Sequence, residues 1–269
     1  RFVDELTPRR NGHRHLKRPV AGFACGCRLG RPSTGDVFWR HVVKSIVRSG
    51  DEQFARLFVE QQCLDTPTFA ELVAVTVGKS HMVPRVARRT TQRLREAGFI
   101  EADRRLSGPL IHYATRQGAR FAGLDVPCGP VPLSQLAHSR AVSRVRVLYG
   151  RSGNRWTSEV LLRLDGWSDH LPDGLVMSPV SCSVAIVEVE LTQKSKSRTR
   201  SILEDLDHVA LHWRSGQVTG SGVHPVEIHY WVSAQTRDHM LRSLAESQIR
   251  TKWRVFDTAT GSELPVPHP

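Results

Sequence analysis

From position 36 the apolar residues Val37, Val42, Val43, Ile46 and Val47 recur at helical spacing, and Gly50 ends the run. A second helix is predicted over Asp51–Gln62, burying Phe54, Leu57 and Phe58. A third is predicted over Thr66–Val77, with Thr66 as N-cap, Pro67 in the first turn, and Leu72 and Val73 inside. After the loop GKSHMV, Pro84 opens a helix that runs to Ala97 and stops at Gly98, where a left-handed cap belongs. Two short alternating runs, Phe99–Asp103 and Leu110–Ala114, flank Ser107, Gly108 and Pro109, which predicts a β-hairpin.

The Pro-rich stretch VPCGPVPL, residues 126–133, reads as a linker. Beyond it the rhythm changes. Ser134–Tyr149 is predicted to be a helix that buries Leu136, Val142, Val145 and Leu148. Strands are predicted at Trp156–Leu164, Leu175–Met177 and Val184–Leu191. A helix over Ser197–Trp213, a strand over Val226–Val232, a helix over Thr236–Ser247 and a strand over Lys252–Phe256 follow.

Helix, turn, basic helix and hairpin in that order predict a winged helix–turn–helix over residues 36–125. Residues 1–35 carry no apolar period and read as a basic, flexible leader. Residues 134–269 have the order αβββαβ, a mixed α/β sandwich. The whole chain is therefore expected to be α+β in two domains, a size its 269 residues allow.

Charge adds a partner to this picture. Lys and Arg outnumber Asp and Glu by 38 to 26, a formal net charge of +12, which attracts a polyanion. Nucleic acid is the commonest, and the arginines are clustered: PRVARRTTQRLREAG carries Arg85, Arg88, Arg89, Gln92 and Arg93 on the predicted helix before the hairpin. Val86, Thr90 and Leu94, four apart, are expected to face inward. Arginine pairs with guanine edges and glutamine with adenine, while other cations hold phosphates. Lys79 before this helix, Arg104 and Arg105 near the hairpin turn, and Lys196 and Arg198 in the run KSKSRTR join the set expected to touch double-stranded DNA.

Other classes fall away. No apolar run approaches 18 residues, so no membrane span is expected. The basic start lacks the apolar core of a secretory signal, and the five scattered cysteines (Cys25, Cys27, Cys63, Cys128 and Cys182) suit a reducing cytoplasm. His13, His15, Cys25 and Cys27 have the residue types of a zinc site but not its usual spacing.

The sharpest chemistry lies in HLPDGLV, residues 170–176, followed by VAIVEVELTQK, residues 184–194. Strand alternation sets Glu188 and Glu190 on one face with Ile186, and Val187, Val189 and Leu191 on the other. Two carboxylates on an apolar strand are costly unless solvated, paired or bound to metal. Asp173 at the start of the preceding strand is expected beside Glu188, making an oxygen site suited to Mg²⁺ or Mn²⁺, with Glu159 as an outer acid. Glu190 and Lys194 are the candidate catalytic residues. The bland alternatives are an inactive scaffold or ordinary surface carboxylates. PD before one strand and ExE on the next, within αβββαβ, points to a fold like the PD-(D/E)xK nucleases.

Four segments carry a family resemblance: RRTTQRLREAGFIE, LAHSRAVSRVRVLY, HLPDGLV and VAIVEVELTQKSKSR. In their order over about residues 50–235 the chain resembles the replication-relaxation family of actinobacterial plasmids and integrative elements. The resemblance implies a role in plasmid replication, DNA relaxation or conjugal mobilisation, with a relaxase or replication protein as partner, and Asp173, Glu188 and Glu190 match its acidic positions. Three functions are consistent with this reading: a DNA-binding accessory protein of a mobile element, a Mg²⁺-dependent endonuclease or nickase, or a transcriptional repressor whose second domain dimerises.

Overall fold

A computed structural model describes residues 47–103, 109–167, 170–214 and 226–266. The leader, the first predicted helix up to Ile46 and the hairpin tip with Arg104 and Arg105 lie outside the described residues.

The first half runs α1 (Asp51–Glu60), β1 (Cys63–Asp65), α2 (Thr66–Thr76), α3 (Pro84–Glu96), β2 (Ile100–Asp103), β3 (Ile111–Ala114) and α4 (Arg116–Phe121). Its three strands form an antiparallel sheet in the order β1-β3-β2. Strand β1 is too short to leave a period in the sequence. Its last residue, Asp65, caps α2 in place of the expected Thr66: the backbone is extended there, and Oδ1 accepts the Thr68 N–H at 2.8 Å. At the end of α3, Gly98 takes the left-handed conformation with φ 73°. The Phe99 N–H then reaches the Leu94 carbonyl and the Gly98 N–H that of Arg95, each at 2.9 Å, which closes the helix in a Schellman turn. Phe58 stacks on Phe69 at 4.8 Å in a core shared with Leu64, Leu72, Leu94 and Ile100.

The second half runs α5 (Leu133–Arg151), β4 (Arg155–Ser158), α6 (Glu159–Leu164), β5 (Gly174–Met177), β6 (Val184–Glu190), α7 (Lys196–Arg214), β7 (Val226–Val232), α8 (Arg237–Ala245), β8 (Lys252–Asp257) and β9 (Glu263–Leu264). Six strands lie in sequence order, parallel from β6 to β8 and antiparallel outside. The alternation expected of β6 is present. Val184 and Ile186 join Ile202, Leu203 and Leu206 of α7, while Ala185, Val187 and Val189 join Val145 of α5. The sheet is thus covered on both faces.

One expected strand is corrected. Trp156–Leu164 extends only to Ser158, whose hydroxyl accepts the Leu161 N–H and caps α6. The run Val160, Leu161, Leu162 was expected to be strand, but the capping serine followed by an acidic first turn makes it helix. On α5, Val147 is buried and Leu148 is exposed, the reverse of expectation for Leu148.

Helix α5 also packs on the first half. Val131 and Leu136 cluster with Cys63 and Ile111, so the expected linker ends inside a small core. A Cβ on Gly150 would lie 2.8 Å from Val75 Cγ2, so α2 and α5 approach closely only because this residue is glycine. Among the described residues no helix is long and apolar enough to cross a membrane.

Candidate functional site

Helix α3 divides its residues sharply. Ala87, Thr90, Thr91 and Leu94 are buried, and the Thr91 hydroxyl donates to the Ala87 carbonyl at 2.7 Å. The inward stripe includes Thr90 and Leu94 as expected but takes Ala87 in place of Val86, which is exposed. Arg85, Arg88, Arg89, Gln92 and Arg95 are exposed. Among the described residues none of Arg85, Arg88 and Arg89 is ion-paired, while Gln92 donates to Glu96 at 2.8 Å. Lys79, in the connection between α2 and α3, is exposed as well. Arg88, Gln92 and Arg95 line an open groove of about 720 Å³ between α3 and the hairpin.

Arg93 departs from its expected place among the DNA contacts. Its Nε and Nη2 donate to the two oxygens of Asp51 at 2.8 and 2.5 Å, and its side chain is only 14% exposed. This bond raises the Arg93 pKa, so the guanidinium is a fixed structural cation joining α3 to the start of α1.

The second place is the end of the large sheet. The Gly174–Val187 pairing sets Asp173, one residue earlier, level with Glu188 on the next strand. Asp173 is held at both oxygens: His138 Nε2 from α5 at 2.7 Å and the Val189 backbone N–H at 2.7 Å. Glu188 meets His170 Nε2 at 3.3 Å, and Glu190 pairs with Lys194. Both glutamates are only 5% exposed. Burial raises the Glu188 pKa, and the Asp173 charge raises it further. Burial alone would lower the pKa values of His138 and His170, but the carboxylate each one touches outweighs it and raises them. Tyr230 stands level with Glu188 on β7, its hydroxyl buried and without a hydrogen-bond partner among the described residues. Burial, with the charges of Glu188, Glu190 and Asp173, holds that phenol well above its ordinary pKa.

Asp173, Glu188, Glu190 and Lys194 are therefore brought together. Glu159 is not on a strand with them: it opens α6 and pairs with Arg163 at 2.5 Å. Lys196 pairs with Glu246 at 2.6 Å across the α7–α8 surface, and Arg198 is exposed in the first turn of α7. Among the described residues no three His, Cys, Asp or Glu side chains are placed to hold a metal ion. Asp173 accepts from His138 and from Val189, Glu188 meets His170 and Glu190 meets Lys194, so each of the three carboxylates is paired within the protein.

Sequence reasoning missed His138, His170 and Tyr230. His170 stands three residues before Asp173, inside the motif already singled out, and was the one within reach. His138 and Tyr230 arrive from α5 and β7, far along the chain; His138 lies in the segment LAHSRAVSRVRVLY, but nothing there points to Asp173.

No protein-family profile matches the sequence, and neither does any curated protein. A solved structure of the restriction endonuclease FokI bound to DNA is similar over 80% of this chain, at 11% identity and a TM-score of 0.29. The match spans 44% of that endonuclease, less than half its length. Likeness at this level carries no inference for fold or activity.

Proposed function

We propose that this chain binds double-stranded DNA, with α3 in the major groove and the β2–β3 hairpin as a wing. The observation that carries the proposal is the outward face of α3, where Arg85, Arg88 and Arg89 stand exposed without acidic partners among the described residues. The inward face and the Arg93–Asp51 bond hold the helix against its core, so the cationic face is presented on a rigid element. The element order α1-β1-α2-α3-β2-β3 supports a winged helix–turn–helix. Removing Arg88 or Arg89 should weaken specific binding by about 1–3 kcal/mol each. A mobility-shift titration, on a duplex enriched from random sequence with the wild-type chain, checks this. Unchanged affinity in the Arg88→Ala/Arg89→Ala variant rules α3 out.

A second reading is a DNA endonuclease or nickase on a PD-(D/E)xK-like second half. Its support is the order α5-β4-β5-β6-α7-β7, interrupted by the short α6, the burial of Glu188 and Glu190, and the Tyr230 hydroxyl beside them, unpartnered among the described residues. It requires Mg²⁺ or Mn²⁺, for which Asp173, Glu188 and Glu190 are the candidate ligands, and no cleavage step follows from their present pairing with His138, His170 and Lys194. If the ion binds only the folded chain, Mn²⁺ raises the melting temperature of the wild type and not that of Glu188→Ala. No shift at millimolar Mn²⁺ removes the reading and leaves the acidic cluster as a structural element. The mobile-element setting, with a relaxase or replication protein as partner, rests on the sequence resemblance alone.

A further inference from the structure

We infer that Arg140 and Arg146 lock the two halves into one rigid body, so that the second half is held at a fixed offset from DNA bound under α3. This rests on the DNA-binding reading above and adds a geometry to it. Helix α5 belongs to both halves. Ala141, Val142, Val145 and Tyr149 pack on the large sheet, while Leu136 and Val147 enter the clusters of the first half. The same helix reaches the acidic site, where His138 holds Asp173 at 2.7 Å. Two residues further on, Arg140 donates to Asp65 Oδ2 at 3.1 Å, and Arg146 donates to Glu60 Oε2 at 2.7 Å.

These pairs are placed to resist motion. Glu60 and Asp65 are nearly buried, at 5% and 6% side-chain exposure, and Arg146 is 12% exposed. Loss of these contacts would leave Asp65 without its cation and Glu60 with Arg56 alone, which is costlier than breaking a surface pair. Asp65 also caps α2 through its other oxygen, and Glu60 ends α1 while taking a second bond from Arg56 at 2.6 Å. The two arginines therefore grip the framework that carries α3, not a loose edge. At Gly150, where an added Cβ would lie 2.8 Å from Val75 Cγ2, α5 is packed closely against α2. The Pro-rich segment 126–133, the one place where sequence suggested a flexible joint, is bridged by these contacts, and its Val131 is buried.

Calorimetry and DNase footprinting of the full chain test the lock together. The wild type is expected to unfold in one transition, and to protect the α3 site plus a second stretch at constant distance on the enriched duplex. Arg140→Gln/Arg146→Gln should split the transition in two and fade the second stretch, while leaving the α3 site protected. Arg140→Lys/Arg146→Lys should keep the wild-type behaviour. If the double glutamine variant does not fold, Glu60→Gln removes the Arg146 partner and leaves α5 intact, and the same split is expected. Two transitions already in the wild type, or one transition and an undiminished footprint in the glutamine variants, overturn the lock. One transition in the wild type without any DNA protection overturns the offset and the DNA reading together, and leaves only the mechanical union of the halves.

Discussion

In the three-stranded sheet His112 is buried beside Phe58, with its Nδ1 unpartnered among the described residues. Burial, helped by the charge of Arg95, pushes its pKa down from 6.5 to about 4. The folded value lies below the unfolded one, so as pH falls the unfolded chain takes up the proton first. The contribution of His112 to stability is complete above about pH 6.5, falls between 6.5 and 4, and is gone below. At about 1.4 kcal/mol per pKa unit the loss is on the order of 3 kcal/mol. Urea unfolding across this pH range should show the decline in wild type and a flattened one in His112→Gln. Equal slopes would show that other groups set the acid sensitivity. Sequence identified residues best where strand alternation or motif spacing placed them, as with Asp173, Glu188 and Glu190. Residues supplied by distant elements escaped it: nothing near His138 in the chain signals its contact with Asp173, 35 positions away.

Helices with a long apolar period were legible almost to the residue, and α3 shows where that reading stops. Its boundaries followed from Pro84 and Gly98, but counting arginines did not tell which one turns inward. Arg93 differs from Arg88 and Arg89 because α1 brings the wholly buried Asp51 against it. Arg93→Ala leaves that carboxylate buried and unpaired, so it should cost about 3–5 kcal/mol of stability. Arg88→Ala, on the outer face, should cost within about 0.5 kcal/mol. Thermal unfolding of the two variants separates the roles, and equal melting temperatures would contradict the division of the helix. Short elements were the weak point of the reading. β1 has three residues and α6 six, too few to establish a period, and α6 lay inside an apolar run that also suited a strand.

At the level of the molecule, an excess of 38 basic over 26 acidic residues would give a general affinity for polyanions wherever the charges lay. The fold distributes the charge unevenly, neutralising some cations inside the protein and leaving others outside. Arg93, Arg140 and Arg146 pair with Asp51, Asp65 and Glu60, and Lys194 with Glu190, while Arg85, Arg88 and Arg89 remain on one exposed face. The central claim is that this face holds the duplex. The most direct test is the salt dependence of binding to mixed-sequence duplex DNA, for the wild type and for Arg85→Ala/Arg88→Ala/Arg89→Ala. On mixed-sequence duplex, where no base edge is matched, the three arginines contact phosphate. Each lost contact should flatten the log–log slope by about 0.9, so the triple variant should lose roughly 2–3 from the wild-type slope while folding normally. A folded triple variant with the wild-type slope and affinity would place the DNA elsewhere on the protein.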